Sequence, residues 1–247
     1  MIRQHKIYFN SKDRISGTTT NLKYPLATTI PNVVSIAISN VRLPITYYNV
    51  TNKNNTLSIS LTGGDYKVVV ENKNYSATDL AATVKTTLGL ALPGVIGAGA
   101  TVAYNSNTGK FTFSLVGTNF KVMSSGLGSF MGFSKDTGFS TGSHTSDSMA
   151  DFSPTPIYIA TELQTDSELN QNLVNIVYTA TGSVSFGSIL YDNDKNLEPI
   201  ELIKKKNINH LKFSLVDGDG DEINNNGIDY SMVVTLFYMK ENDRDVV

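Results

Sequence analysis

Leu211-Lys212-Phe213-Ser214-Leu215-Val216-Asp217-Gly218-Asp219-Gly220 contains a strand and the turn that ends it. Leu211, Phe213 and Leu215 alternate with Lys212 and Ser214, which puts one face in a core and the other toward water. The Asp/Gly run supplies the positive-φ positions that a tight turn needs. The same period of two recurs upstream. Leu57, Ile59 and Leu61 alternate with Ser58 and Ser60; Phe111, Phe113 and Leu115 alternate with Thr112 and Ser114; Val34, Ile36 and Ile38 alternate with Ser35 and Ala37. Met232–Tyr238 is apolar on both faces and should be central in its sheet or covered on both sides.

Turn chemistry separates these runs at Gly63-Gly64-Asp65 and at Asn105-Ser106-Asn107-Thr108-Gly109. Many short strands broken by such turns predict an all-β, mainly antiparallel sandwich or barrel. One segment departs from the period. Ala77, Leu80, Ala81, Val84 and Leu88 follow helical spacing, with Ser76 as the cap and Asp79 three residues on. A helix is expected near 77–88, ended by Gly89 and Pro93-Gly94. The polar stretch from Ser140 to Ser148, continued to Pro154-Thr155-Pro156, reads as a long surface connector.

The chain has 247 residues, 40% hydrophobic and 17% charged, with no Cys and no Trp. Such a chain can bury a real core, and its charge content fits neither a coiled coil nor charge-driven disorder. Without Cys there is no disulfide framework, thiolate zinc site, iron–sulfur cluster or Cys nucleophile. A net charge of -2 gives no field that marks a specific nucleic-acid binder. No apolar run is long enough to span a bilayer, and Met1–Lys6 lacks the apolar region of a secretory signal. Three N-x-S/T acceptors, at Asn49, Asn54 and Asn74, are therefore read as chance products of an Asn/Thr-rich chain.

Candidate chemistry is sparse. Asp217, Asp219 and Asp221 imitate the start of a calcium loop, but Glu222 and Ile228 stand where an EF-hand requires Gly and Glu. They read as a hairpin turn with solvated carboxylates, and the competing readings are adventitious divalent-cation binding and a metal-assisted hydrolase. Lys204-Lys205-Lys206 reads as a solvated loop, with an acidic partner or a packaged genome as the functional alternative. His5 and His210 fall in or beside strands, and His144 lies in the polar connector, a poor place for a positioned base. The carboxylate pairs Glu198 and Glu201, and Asp192 and Asp194, have no accompanying motif. No phosphate loop, nucleophile elbow or H-E-x-x-H is present. Neither catalytic, cofactor nor metal residues are assigned, and the chain is read as non-enzymatic.

Several stretches, taken in order, resemble one family. Ile7-Tyr8-Phe9-Asn10-Ser11-Lys12-Asp13-Arg14 resembles an F-N-S-x-D-R opening, followed by the Ser/Thr/Gly stretch Ser16–Asn21. Tyr24-Pro25-Leu26 through Ile30-Pro31-Asn32-Val33 resembles a strand, I-P-N-V, strand unit. Pro44-Ile45-Thr46-Tyr47-Tyr48-Asn49 resembles a P-x-x-Y-N element. Asn74–Ala81 is similar to a Y-S-x-x-D-L helix start, and Leu215–Tyr230 to a last hairpin. The family is the penton, or vertex, capsid proteins of virophages and nucleocytoplasmic large DNA viruses.

The resemblance implies a jelly-roll β-sandwich with an inserted β-rich segment that carries one short helix. Periodicity and composition place the jelly roll at 1–62 and 156–247 and the insertion at 63–155. The implied function is the pentameric vertex of an icosahedral double-stranded DNA virus particle, assembled in host cytoplasm. Its partners would be copies of itself, the major capsid protein and minor capsid proteins. The alternatives are a carbohydrate-binding or host-attachment module that meets a host receptor or glycan, and a minor cement protein. Asn10, Ser11, Asp13, Arg14, Tyr47 and Tyr48 are the expected assembly contacts, with Asp13 and Arg14 pairing across subunits. Missing Cys agrees with assembly in a reducing compartment.

Overall fold

A computed structural model of the chain describes residues 1–152, 156–169, 174–180, 184–193 and 198–240. The chain divides into two compact units, Met1–Tyr47 with Pro154–Val247, and Tyr48–Ser153. The boundary comes earlier than residue 63 because Thr56–Leu61 pairs within the second unit. Alternation in that stretch reveals a strand but not which sheet claims it.

In chain order, the first unit opens with β1 (Ile2–Asn10), a 3-10 turn (Ser11–Asp13), β2 (Ser16–Gly17) and β3 (Asn21–Pro44). The second unit contributes β4 (Thr56–Leu61), β5 (Gly64–Val69), α1 (Ala77–Ala91), α2 (Gly94–Ala98), β6 (Thr101–Asn105), β7 (Lys110–Val122), α3 (Leu127–Phe130) and β8 (Ser140–Thr145). The first unit then resumes with β9 (Ile157–Thr161), β10 (Glu168–Leu169), β11 (Val174–Ala180), β12 (Ile189–Asp192), β13 (Ile200–Val216) and β14 (Ser231–Met239).

The strands of the first unit pair in the order β1-β14-β3-β13-β9-β11-β10, all antiparallel. Two long strands serve both layers. The first half of β3 pairs with β13 from Ile30↔Ile208 to Asn21↔Ser214, and its second half pairs with β14 from Val33↔Tyr238 to Arg42↔Ser231. Asn32 sits between the halves at φ 49, a left-handed conformation that Asn tolerates better than most residues. Its N–H donates to Asn207 Oδ1 at 2.9 Å, and Pro31 beside it has no N–H to leave unpaired. The Ile30-Pro31-Asn32-Val33 unit is thus a bulge that redirects one continuous strand.

The inner faces meet through Phe9. Its ring stands edge-on to Phe213 of β13 at 5.4 Å and against Tyr24 of β3 at 4.9 Å. β1 is hydrogen-bonded to neither strand, so these are contacts between layers. Ile36, Val41, Leu211, Phe213, Val234 and Leu236 complete a core from which water is excluded. Central β14 is buried on both faces at Val234–Phe237, as its all-apolar sequence requires. Residues 35–39 of β3 are also buried on both faces, so Ser35 and Ser39 do not form the wet side that alternation predicts. The architecture is a jelly-roll-type β-sandwich with an inserted, partly helical unit.

The second unit carries the sheet β5-β4-β7-β6, with β8 on β7. Leu80, Ala81, Val84 and Leu88 of α1 share its core with Leu57, Ile59, Phe111, Phe113 and Phe120. Ser76 caps α1: its Oγ accepts from Asp79 N at 3.1 Å and donates to Asp79 Oδ2 at 2.7 Å. The helix runs three residues past the expected end at Leu88. Gly89 is a point of close approach instead of a stop, since a Cβ on Gly97 of α2 would meet the Gly89 carbonyl at 2.7 Å.

Two polar stretches read as loops are strands. Ser140–Thr145 forms β8, pairing Thr112↔Thr145 through Leu115↔Gly142. Its residues are almost all exposed, so no apolar face announces it. Lys204–Lys206 lies inside β13, not in a loop. Pro154, Thr155 and Asp194, named above, fall outside the described residues.

Candidate assembly surface

Sequence stretches more than 170 residues apart meet at one end of the jelly roll. Asn10 ends β1 and caps the 3-10 turn, its side chain accepting from Lys12 N at 3.1 Å. Ser11 follows and is fully buried. Its Oγ donates to Asp229 Oδ1 at 2.7 Å and accepts from the buried Tyr230 N–H at 3.0 Å. The Ser11 N–H donates to the Tyr230 carbonyl at 2.9 Å. Arg14 closes the turn, donating to Ser11 O at 3.0 Å and to Asp229 Oδ1 at 3.3 Å. This ion pair is partly exposed, so its strength is about 0–1 kcal/mol.

The Ser/Thr stretch is equally committed. Glu222 receives Thr18 Oγ1 at 3.0 Å, Thr20 Oγ1 at 2.8 Å and Asn21 Nδ2 at 3.2 Å. Thr19 Oγ1 donates to Asn225 Oδ1 at 2.7 Å in a buried setting. Asn225 and Asn226 are bound to Thr46: Thr46 Oγ1 donates to Asn225 O, and Asn226 Nδ2 donates to Thr46 O. Hydroxyl donors thus find amide and carboxylate acceptors from the last hairpin, and the buried Ser11, Thr19 and Thr20 hydroxyls gain the partners that burial demands.

A search of solved structures finds similar chains. One is the crystal structure of the mavirus penton protein, at 13% identity and a TM-score of 0.49, covering 95% of this chain and 98% of that one. Another is the cryo-EM structure of the Sputnik virophage, at 13% identity and a TM-score of 0.44, covering 96% of this chain and 98% of that one. No protein-family model and no curated protein matches.

The expected contact residues separate by role. Ser11 spends its hydrogen bonds inside the subunit, and within the chain Arg14 pairs with Asp229. Asp13 is exposed, and its charge, after burial, helps push the Tyr24 phenol above its ordinary pKa. Tyr47 is half-buried against the jelly-roll core, and burial raises its phenol too. Tyr48 is half-buried in the second unit. Sequence reasoning missed Thr18–Asn21, Glu222, Asn225 and Asp229 as one network. A dense hydroxyl stretch and an Asn/Asp-rich hairpin were the available signals, but nothing local joins them.

The motif boundary in the second unit is also structural. Asn49 Oδ1 accepts from Tyr75 N at 2.9 Å and its Nδ2 donates to Tyr75 O at 2.8 Å. The side-chain amide thereby mimics a strand partner just before the Ser76 cap.

The geometry offers little to a catalyst. Asp217 Oδ1 accepts from the N–H groups of Asp219 and Asp221 at 3.0 and 2.9 Å, which closes the turn. Among the described residues, no three His, Asp or Glu side chains gather around a possible metal position. His144 Nε2 bonds the Phe120 carbonyl at 2.9 Å, and its ring stands edge-on to the Phe120 ring at 4.5 Å. His210 Nε2 meets Glu162 at 3.0 Å. Tyr178 donates to Asp192. Glu198 and Glu201 are exposed. No helix among the described residues is long and apolar enough to cross a membrane.

Proposed function

We propose that the chain is a vertex subunit of an icosahedral double-stranded DNA virus capsid, of the virophage penton kind. It would act as a structural protein, close into a homopentamer and seat among copies of the major capsid protein. Assembly in host cytoplasm and residence in the virion follow from that role. The observation that carries this reading is the meeting of four family-like stretches in one hydrogen-bonded end of a jelly roll. Those stretches are the Asn10–Arg14 turn, the Ser16–Asn21 segment, the Pro44–Tyr47 element and the last hairpin. The ordered motifs have a common structural purpose, which chance matches would lack.

An interface that repeats around a fivefold axis is heterologous and closes as a ring. Asp13 is an exposed charge beside the network, next to the exposed Lys12. Asp13 forms the proposed contact together with the rims of Asn10 and Arg14 and the half-buried Tyr47, and Tyr48 is proposed separately as a contact of the second unit. Ser11 would hold that contact in shape from inside. Negative-stain microscopy and native mass spectrometry of the concentrated chain, alone and with major capsid protein, test the reading. Rings of five subunits are expected. A strictly monomeric species under both conditions would overturn it.

A further inference from the structure

A cavity of about 420 Å³ opens in the jelly-roll unit beside the widest bulge of β13. From Glu201↔Ser35 to Lys206↔Val33, β13 uses five steps against two on β3. The surplus residues leave β3 and pair elsewhere. Ile203 N donates to Gln164 O at 2.9 Å, and Asp166 N donates to Glu201 O at 3.3 Å. Leu163 and Leu202 give the recess its apolar lining, while Gln164 and Lys204, Lys205 and Lys206 give it polar walls. Its one acid, Glu162, already pairs with His210. Among the described residues, none of the three lysines has a carboxylate in ion-pair range. Consecutive positions on a strand keep three like charges within about 7 Å of backbone. The recess therefore selects an anion.

The sequence holds an anionic segment, and the strand that precedes it, β14, ends near the recess. Val33 faces Lys206 on one side and Tyr238 on the other. Adjacent strands lie about 4.8 Å apart, so Tyr238 and Lys206 are separated by about 10 Å. Past Met239 the chain reads Lys240-Glu241-Asn242-Asp243-Arg244-Asp245. Six extended residues reach about 20 Å, ample for that gap. Glu241, Asp243 and Asp245 occur at every second position, the spacing at which Lys204 and Lys206 repeat.

We propose that the lysine-lined recess is a docking site for the acidic segment Glu241–Asp245 of the same chain. The segment would neutralise Lys204–Lys206 and cover Leu163 and Leu202. A carbodiimide joins carboxylates to amines only where they touch. The test applies it to an equimolar mixture of 15N-labelled and unlabelled full-length chains, with cross-linked peptides read by mass spectrometry. Links from Lys204–Lys206 to Glu241, Asp243 or Asp245 are expected, with both halves carrying the same isotope. Their yield should fall about fivefold between 0.05 and 0.5 M salt as screening shortens. An E241Q/D243N/D245N variant, which has no carboxylate to activate at these positions, checks the assignment of the links. Mixed-isotope links would assign the recess to a neighbouring copy and overturn the proposal. So would an absence of links to these carboxylates, or single-stranded DNA binding lost in K204Q/K205Q/K206Q without any such links. The readout needs no ring, so it stands or falls apart from the vertex role.

Discussion

Replacing Ser11 with alanine tests the network at its most buried point. The Oγ has two partners and no solvent. Its bond to the Asp229 carboxylate is of the charged kind, a contribution of about 1.5–3 kcal/mol. Its removal also strands the buried Tyr230 N–H, a cost of about 1–3 kcal/mol. The two terms overlap, because Asp229 keeps Arg14 and relaxes toward it. A net loss of about 3 kcal/mol is expected. At about 3 °C per kcal/mol for a unit of this size, the jelly-roll transition should fall by about 9 °C. Calorimetry would read it, with Phe113→Ala in the second unit used to tell the two transitions apart. Ser11→Ala should also weaken ring formation, because the turn that presents Asp13 loses its anchor. A Tm within about 2 °C of the parent would refute the bridging role of the hydroxyl.

Three other outcomes are expected. Asn49→Ala removes both bonds to Tyr75 and should lower the second unit's stability by about 1–2 kcal/mol in urea melts. Gly128→Ala should be more damaging, since its Cβ would meet the Met123 carbonyl at 2.0 Å; reduced soluble yield and a lowered Tm are the readouts. Acid should selectively weaken the second unit. Hydrogen bonds from the Ser124 backbone and hydroxyl hold Asp136 below the ordinary carboxylate range, and bonds from the Ser134 hydroxyl and backbone do the same for Asp147. Both folded pKa values are depressed, so their stabilisation is present above about pH 4 and is lost as pH falls through the lowered values. In D136N/D147N, the acid-induced drop in Tm should be visibly shallower.

Period-two patterns exposed most strands because one face of each is apolar. β8 escaped because Ser140–Thr145 has no such face; its backbone pairing with β7 alone makes it a strand. Residues 35–39 misled in the opposite direction, since small serines pack between layers as readily as they meet water. The helix was legible from Ser76 and its apolar spacing. Its end was not, because the helix runs through Gly89, and Gly97 of α2 packs onto the Gly89 carbonyl without any local sign in the sequence. The candidate surface was half legible. Asn10–Arg14 stood out locally, whereas Glu222, Asn225 and Asp229 gain meaning only when the last hairpin folds back over more than 200 residues.

The position of β14 has a consequence for biosynthesis. It lies between β1 and β3, yet among the described strands it is the last to leave the ribosome. Until then β1 and the second half of β3 each present an open edge, the kind of surface that invites mispairing. The second unit draws on residues 48–153 alone and can close while synthesis continues. The jelly roll, held by long-range pairings, must wait for its final strand. Translation therefore delivers a chain with a finished insertion and an unfinished sandwich. That interval is when a chaperone has most to protect.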